Sequence, residues 1–338
     1  MSAPARQQAS GLAQLEAVLA AGGPQLAHLL TSTEERLVQI GASHGQELGQ
    51  HAADTLSAGG KRLRPLVVFL CAGEAAGDGT VSAAVAVELV HMATLVHDDV
   101  LDRAPLRRGR ATVYKSAGRA AATQTGDFLF SRAFAELAST GSPEAVKTLS
   151  DAASALARGE LMQRADAWSA DVPPERYISR CTLKTARLFE AACRLGAIFG
   201  PSANGLNGAL ECLGSFGEKI GIAFQIFDDV LDVSGPPERT GKHRGTDLLD
   251  GTITLPLILA RERQPELKDM DLRTAVTNPA EAEGLCERIA DTGALTDARE
   301  EALTYVQQAK AALDEIDLPA RQRRALELVA DGVVERYA

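Results

Sequence analysis

The pentapeptide DDVLD occurs twice in this chain, at 98–102 and again at 228–232. Both copies follow apolar residues in stretches with a helical pattern, and side chains four positions apart lie on one face of a helix. The first and last carboxylates of each copy are therefore predicted to stack, and they repel each other unless a cation lies between them. A solvated acidic helix face is the alternative for either copy alone. The repeat favours two metal-binding pairs, Asp98 with Asp102 and Asp228 with Asp232.

Two basic segments accompany the acidic motifs. GGKRLRP (59–65) places three cationic side chains beside a glycine turn, and PLRRGR (105–110) follows the first acidic motif. One guanidinium group can bind two phosphate oxygens at once, and Mg²⁺ is bound in proteins by carboxylates together with phosphates. Taken alone, each basic segment is typical of a solvated loop. Together with the acidic pairs, they predict a diphosphate site that binds its ligand through both metal ions and cationic side chains.

The composition limits the class of protein. The 338 residues are 45% hydrophobic and 24% charged, which is ample for a large buried core. A formal net charge of −10 argues against nonspecific binding to nucleic acid or anionic lipid. The five cysteines form no CxxC pair and are typical of reduced thiols in a cytoplasm. Because 18 consecutive apolar residues never occur and a signal-peptide pattern is absent, we expect a cytoplasmic protein without a transmembrane segment.

Helix signals recur along the chain, and strand alternation is scarce. Ser142 and Pro173 each precede a proline of the kind found at the first helical position, and Ser32 predicts a further helix start. The helical stretches between breaks are long: 80–102, 143–168, 174–200 and 205–234. Long helices joined by short loops predict an all-α fold, a single large helical bundle around a central cavity. We expect one domain over 1–338, with 1–30 as a peripheral helical segment.

The motifs resemble those of a known family, the trans-isoprenyl diphosphate synthases or polyprenyl synthetases, in their long-chain bacterial type. The resemblance covers roughly residues 55–260 and rests on motifs in the family's order: GGKRLRP (59–65), HDDVLD (97–102), PLRRGR (105–110), Lys184-Thr185, GIAFQIFDDVLD (221–232), Gly241-Lys242 and Thr254-Leu255-Pro256. It implies the isoprenoid synthase fold. It also implies a prenyltransferase that uses Mg²⁺ to condense isopentenyl diphosphate head to tail with an allylic diphosphate.

The resemblance assigns roles to individual residues. The ligands of isopentenyl diphosphate would be Lys61, Arg64, His91 and Arg108. The allylic diphosphate, whether dimethylallyl, geranyl, farnesyl or geranylgeranyl, would be bound by Arg107, Lys184, Thr185, Gln225 and Lys242. Three Mg²⁺ ions would be held, two by Asp98 and Asp102 and a third by Asp228 with Asp232 behind it. The residues expected to act in catalysis are Asp98, Asp102, Asp228, Lys184 and Gln225. A homodimer is the expected assembly.

The residues before the first acidic motif indicate the product length. One helical turn rises about 5.4 Å, so Ala93 and Thr94 lie about one turn, and Val90 about two turns, before Asp98. In short-chain members of the family, bulky aromatic side chains typically block this level, whereas here the side chains are small. We therefore expect a long-chain product of about C30 to C50, with a geranylgeranyl or geranylfarnesyl diphosphate synthase as the alternative. Small residues that merely let helices pack closely are the other interpretation.

Several rival functions remain as alternatives. A class I terpene cyclase has a similar helical fold and first acidic motif, but it normally carries an Asn/Ser/Glu metal motif in place of the second. A non-catalytic partner subunit would be expected to lose acids or arginines that this chain keeps. An acidic cation-storage protein would spread its acids in runs. One departure from the family is Thr252, where many members have a lysine, so a diphosphate contact from this position is not expected.

Overall fold

The computed structural model describes residues 16–43, 45–57, 62–107, 109–200, 208–235 and 243–335. Apart from one short hairpin, the regular secondary structure in these ranges is helical, which confirms the all-α fold. The helices are α1 (16–22), α2 (Gln25–Ala42), α3 (Gln46–Ser57), α4 (Leu63–Ala72), α5 (Asp78–Leu101), α6 (Val113–Ala138), α7 (Pro143–Asp166), α8 (Pro174–Cys181), α9 (Arg187–Phe199), α10 (Ala209–Ser234), α11 (Thr246–Leu249), α12 (Leu255–Arg263), α13 (Pro265–Lys268), α14 (Leu272–Ala275), α15 (Pro279–Asp291), α16 (Ala294–Asp314) and α17 (Ala320–Glu335). A 3₁₀ turn covers Gly73–Ala75, and the hairpin pairs β1 (Leu106–Arg107) with β2 (Arg110–Ala111).

Helix α5 lies in the middle of the fold and packs against α2, α4, α6 and α9. A helix with neighbours on so many sides has to be apolar on nearly all its faces. Among the helices that the structure describes, α5 alone is long and apolar enough to cross a membrane, and 67% of its most apolar stretch is buried inside the fold. The first acidic motif forms the last turn of this core helix. Its carboxylates therefore leave the core at one end of the bundle.

Helix α10 carries the second acidic motif and packs mainly against α9 and α16. Its buried side chains belong to the same connected hydrophobic cluster as those of α5. The motif lies in the last two turns of α10, so both acidic motifs are at the carboxyl ends of core helices. All five cysteines are free thiols, as the sequence predicts.

A single π-helical turn, Thr182–Ala186, interrupts the helical stretch predicted at 174–200. Helix α7 comes very close to this turn at Gly159, where a Cβ atom would lie 2.5 Å from the backbone nitrogen of Lys184. No side chain larger than hydrogen fits there. Turns of this kind are frequent at functional sites, and this one bears Lys184 and Thr185.

One predicted helix start is wrong. Ser32 lies inside α2, which begins at Gln25. The hydroxyl of Thr33 donates to the carbonyl of Leu29 at 2.9 Å, so it bonds to the preceding turn of the helix instead of capping a new one. The start at Ser142 is confirmed, because its Oγ accepts the backbone N–H of Ala145 at 3.2 Å.

Candidate active site

The first acidic motif combines a shielded carboxylate with an exposed one. Asp98 is mostly shielded from solvent, whereas the side chain of Asp102 is 47% exposed, and the backbone N–H of Asp102 donates to the carbonyl of Asp98 at 2.8 Å. Burial raises the pKa of Asp98 to about 6, and the carboxylates of Glu160 and Asp102 add to the rise, while Lys184 opposes it. A cation beside Asp98 is therefore needed to keep it ionised at low cost.

Side chains of α7 and the π-helical turn supply positive charge at this point. The ammonium of Lys184 is 2.6 Å from Glu160 Oε2, and the guanidinium of Arg164 bridges Glu160 Oε1 at 2.9 Å and Asp102 Oδ1 at 3.4 Å. Burial lowers the pKa of Lys184, but Asp98 and Glu160 outweigh burial and the net pKa is raised. Lys184 thus stays protonated beside the first acidic motif. Glu160 and Arg164, which the sequence interpretation did not include, complete this network.

Arg107 lies on the hairpin and binds the middle carboxylate of the motif. Its Nε donates to Asp99 Oδ1 at 2.7 Å, and Asp99 is only 5% exposed. Both side chains line a cavity of about 280 Å³ whose apolar side is formed by Met92 and Leu95 of α5. Asp99 therefore holds a guanidinium that was predicted to bind the allylic diphosphate.

The second acidic motif also has a buried inner aspartate, but its first aspartate is exposed, unlike Asp98. Asp228 is exposed, whereas Asp229 is 4% exposed and fully inside the helix packing. Asp232 Oδ2 accepts the backbone N–H of Asp247 at 3.2 Å, which brings a further carboxylate next to the motif. Burial raises the pKa of Asp229 to about 8, and Asp247 adds to the rise, while hydrogen bonds from Tyr177 and Gln225 oppose it.

Thr185 and Gln225, predicted from motifs 40 residues apart, are in direct contact. The Thr185 hydroxyl donates to Gln225 Oε1 at 2.7 Å, and Gln225 Nε2 donates to Asp229 Oδ1 at 2.7 Å. Gln225 was expected on the face of Asp228, but its amide binds the next aspartate. Lys184 and Thr185 therefore connect the two motifs, since Lys184 faces Asp98 and Thr185 binds the helix of Asp228.

Two of the residues expected to bind isopentenyl diphosphate, Lys61 and Arg108, lie outside the described residues. Lys242, which was expected to bind the allylic diphosphate, lies outside them as well. The guanidinium of Arg64 lies over the ring of Phe189, 4.4 Å from its centre, and His91 is half-buried on α5. Within the basic segment at 59–65, the side chain of Arg62 is firmly anchored. Arg62 forms ion pairs with Glu34 and with buried Glu88 and donates to the carbonyl of Leu56 at 2.9 Å.

The segment with Thr252 is fixed to the end of α7 and to the last turn of α8. The backbone N–H of Trp168 donates to the carbonyl of Gly251 at 2.8 Å, and the buried guanidinium of Arg180 donates to the carbonyl of Ile253. The backbone N–H of Thr252 donates to the carbonyl of Asp247 at 2.8 Å. These contacts hold the segment beside the second acidic motif.

The predicted chain-length residues occupy two different environments. Val90 and Ala93 are fully buried in the core, at 0% exposure. Thr94 is half-buried, and its hydroxyl donates to the carbonyl of His91 at 2.7 Å. Their role in setting product length stays a prediction.

The acidic groups suit a hard divalent cation, since carboxylate oxygens are the ligands that Mg²⁺ and Ca²⁺ prefer. The raised pKa of Asp98, caused by burial and by neighbouring carboxylates, indicates a position where a cation would be favoured. No three His, Cys, Asp or Glu side chains form a ready metal cluster in the part of the chain that the structure describes.

Comparison with known proteins places the chain in a family. The polyprenyl synthetase family matches residues 45–292. Heptaprenyl diphosphate synthase component 2 of Geobacillus stearothermophilus is 37% identical, over 88% of this chain and 92% of that protein. Geranylgeranyl diphosphate synthase of Methanosarcina mazei is 36% identical, over 86% of this chain and 90% of that protein. A polyprenyl synthase of Caulobacter crescentus, solved with calcium and isoprenyl diphosphate, superposes with a TM-score of 0.85 at 33% identity, covering 96% of this chain and 98% of that one.

The chain belongs to the polyprenyl synthetase family, and it is a prenyltransferase with the isoprenoid synthase fold. Its relatives are trans-prenyl diphosphate synthases of different product lengths, and the family uses divalent metal ions.

Proposed function

We propose that this protein is a trans-polyprenyl diphosphate synthase that extends an allylic diphosphate with isopentenyl diphosphate to a long-chain product. The observation that carries the proposal is the position of one π-helical turn between the two acidic motifs. Its Lys184 faces Asp98, and its Thr185 binds Gln225 on the helix of Asp228. A diphosphate held between the motifs would contact both residues.

Mg²⁺ ions held by Asp98, Asp102 and Asp228, with Asp232 behind, would neutralise the allylic diphosphate and stabilise the negative charge that develops as it departs. Lys184 adds a fixed positive charge on the same side. Upon ligand binding, its ammonium would exchange Glu160 for a phosphate oxygen, which is a charge-assisted contact of the same kind.

Departure of the diphosphate leaves an allylic cation, and the double bond of isopentenyl diphosphate attacks its first carbon. Loss of one proton to the released diphosphate then forms a new trans double bond. The protein contributes orientation and the exclusion of water, which would otherwise convert the cation to an alcohol. Thr185 and Gln225 present oxygen lone pairs that suit a neighbouring cationic carbon. The isopentenyl diphosphate would be bound by Lys61, Arg64, His91 and Arg108, and the allylic one by Arg107, Lys184, Thr185, Gln225 and Lys242.

The product is proposed to have about 30 to 50 carbons, since the helix face about one to two turns before Asp98 carries the small side chains Ala93 and Thr94 with Val90 behind them. A shorter geranylgeranyl or geranylfarnesyl product is the runner-up. A homodimer in the cytoplasm is the expected state of the enzyme. Since the Geobacillus relative is called a component, a second protein is the alternative partner.

The experiment that tests the metal-binding roles replaces one carboxylate of each motif. Asp98→Ala and Asp228→Ala should each lower kcat by about 100-fold or more, as expected for loss of a main electrostatic stabiliser, in a protein that still folds. Asp151→Ala, which removes an exposed carboxylate paired only with Lys147 on α7, is the matched control and should keep normal turnover. Near-normal kcat in either motif variant would contradict the assignment.

A further inference from the structure

A chain of hydrogen bonds leads from a buried tyrosine to the predicted catalytic amide. The hydroxyl of Tyr177 on α8 donates to Asp229 Oδ2 at 2.7 Å, and Asp229 Oδ1 accepts Gln225 Nε2 at 2.7 Å. Gln225 Oε1 in turn accepts the hydroxyl of Thr185 at 2.7 Å. Tyr177 is fully buried, and it lies outside every motif that indicated the function.

The donors and acceptors of this chain run in one direction. Each oxygen of Asp229 accepts one hydrogen bond, one from Tyr177 and the other from Gln225. The amide nitrogen of Gln225 is thereby turned toward Asp229, and its oxygen toward Thr185. Because a hydroxyl has a single proton, the Thr185 hydroxyl gives it to Gln225 and turns its lone pairs toward the allylic carbon that becomes positively charged. A reversed amide would offer N–H groups to Thr185 instead.

We propose that Tyr177 is a positioning residue for the allylic half of the active site. It holds the Asp229 carboxylate in the rotamer that fixes the orientation of Gln225, and through Gln225 that of Thr185. A buried network of this kind orders its members only when each polar group has its partner. The inference rests on the proposed function, because it assigns Tyr177 an effect on the reaction of the allylic substrate.

The test is Tyr177→Phe, which keeps the ring that fills the core and removes only the hydroxyl. We expect kcat to fall about tenfold and the KM for farnesyl diphosphate to rise severalfold, with the KM for isopentenyl diphosphate unchanged. Tyr305→Phe is the matched control, since its ring lies beside Lys219 and outside the chain of hydrogen bonds, and it should match the wild type. Kinetics are measured below the melting temperature of each variant. If kcat/KM falls equally for both substrates, by no more than the fraction of protein that is unfolded, the role of Tyr177 is purely structural and the inference is overturned.

A double-mutant cycle separates action through Asp229 from an independent effect. If Tyr177 acts through Asp229, the Tyr177→Phe/Asp229→Asn double variant should have the same kcat as Asp229→Asn alone. The inference would be overturned if the double variant lost kcat by the product of the two single-variant factors. It would also be overturned if Tyr177→Phe had wild-type kinetics. These outcomes differ from failure of the proposed function, in which the wild-type enzyme itself would not consume isopentenyl diphosphate.

Discussion

Replacing Asp98 by asparagine should stabilise the metal-free protein while removing its activity. Burial and the neighbouring carboxylates raise the pKa of Asp98 from 3.8 to about 6. The folded state therefore binds this proton more tightly than the unfolded state does. Above pH 6 the ionised carboxylate opposes folding, and this penalty disappears as the pH falls toward 3.8, where both states are protonated.

The penalty follows from the two pKa values. A tenfold difference in proton affinity is worth about 1.4 kcal/mol, so the interval from 3.8 to about 6 corresponds to about 3 kcal/mol as an upper value. At pH 8 the full difference applies, and at pH 5 about half of it remains. Asp98→Asn removes the penalty at every pH. Its melting temperature should exceed that of the wild type by a few °C at pH 8 and by about half as much at pH 5.

The assay is thermal unfolding of both proteins in EDTA at the two pH values. Asp228→Asn is the matched control, because it makes the same change in an exposed carboxylate of the other motif, and it should alter the melting temperature little. A lower melting temperature for Asp98→Asn at pH 8, or a gain that is the same at both pH values, would refute the reasoning. Adding Mg²⁺ with inorganic diphosphate should stabilise the wild type more than Asp98→Asn, since a ligand that binds only the folded state stabilises it.

Three further changes have defined outcomes. Arg107→Ala should raise the KM for the allylic diphosphate by about 30-fold or more, equal to about 2 kcal/mol or more of lost charge-assisted bonding. Steady-state kinetics with each substrate varied in turn measures this change, and an equal rise in the KM of both substrates would contradict the assignment. Ala93→Phe should shift the products, measured by mass spectrometry, to about C15–C20 while isopentenyl diphosphate is still consumed; an unchanged product ladder would show that other residues limit the length of the product. Gly251→Ala should destabilise the fold by about 2 kcal/mol or more, since its φ is +70° and its Cβ would lie 2.2 Å from the ring of Trp168, whereas Gly284→Ala, inside α15 with open space around it, should leave the melting temperature unchanged or slightly higher.

The long helices could be predicted from sequence because their signals are local. Ser142 caps α7 as expected, and the apolar run that ends in the first acidic motif forms one core helix. The start at Ser32 was wrong because the same hydroxyl residues that cap a helix can also bond to carbonyls within it, as Thr33 does. The π-helical turn at Thr182–Ala186 had no signal in the sequence. It depends on packing against α7 and α10.

The candidate site was predictable where residues follow a motif and unpredictable where they meet across the fold. The repeat indicated Asp98 and Asp228, and helical spacing indicated their partners. Glu160 and Tyr177 belong to no motif, and their roles depend on Lys184, 24 residues away, and on Asp229, 52 residues away. The inner aspartates of each motif were passed over as well. Their burial, visible only in the structure, makes them anchors for other side chains.

The central claim is that this chain condenses isopentenyl diphosphate with an allylic diphosphate to a long prenyl chain. The most direct measurement is incubation of the purified protein with Mg²⁺, isopentenyl diphosphate and farnesyl diphosphate, followed by mass analysis of the diphosphate products. We predict a ladder rising in C5 steps to about C30–C50, abolished by EDTA and in the Asp98→Ala variant. Isopentenyl diphosphate left unconsumed, or farnesyl diphosphate converted to a hydrocarbon without it, would contradict the account.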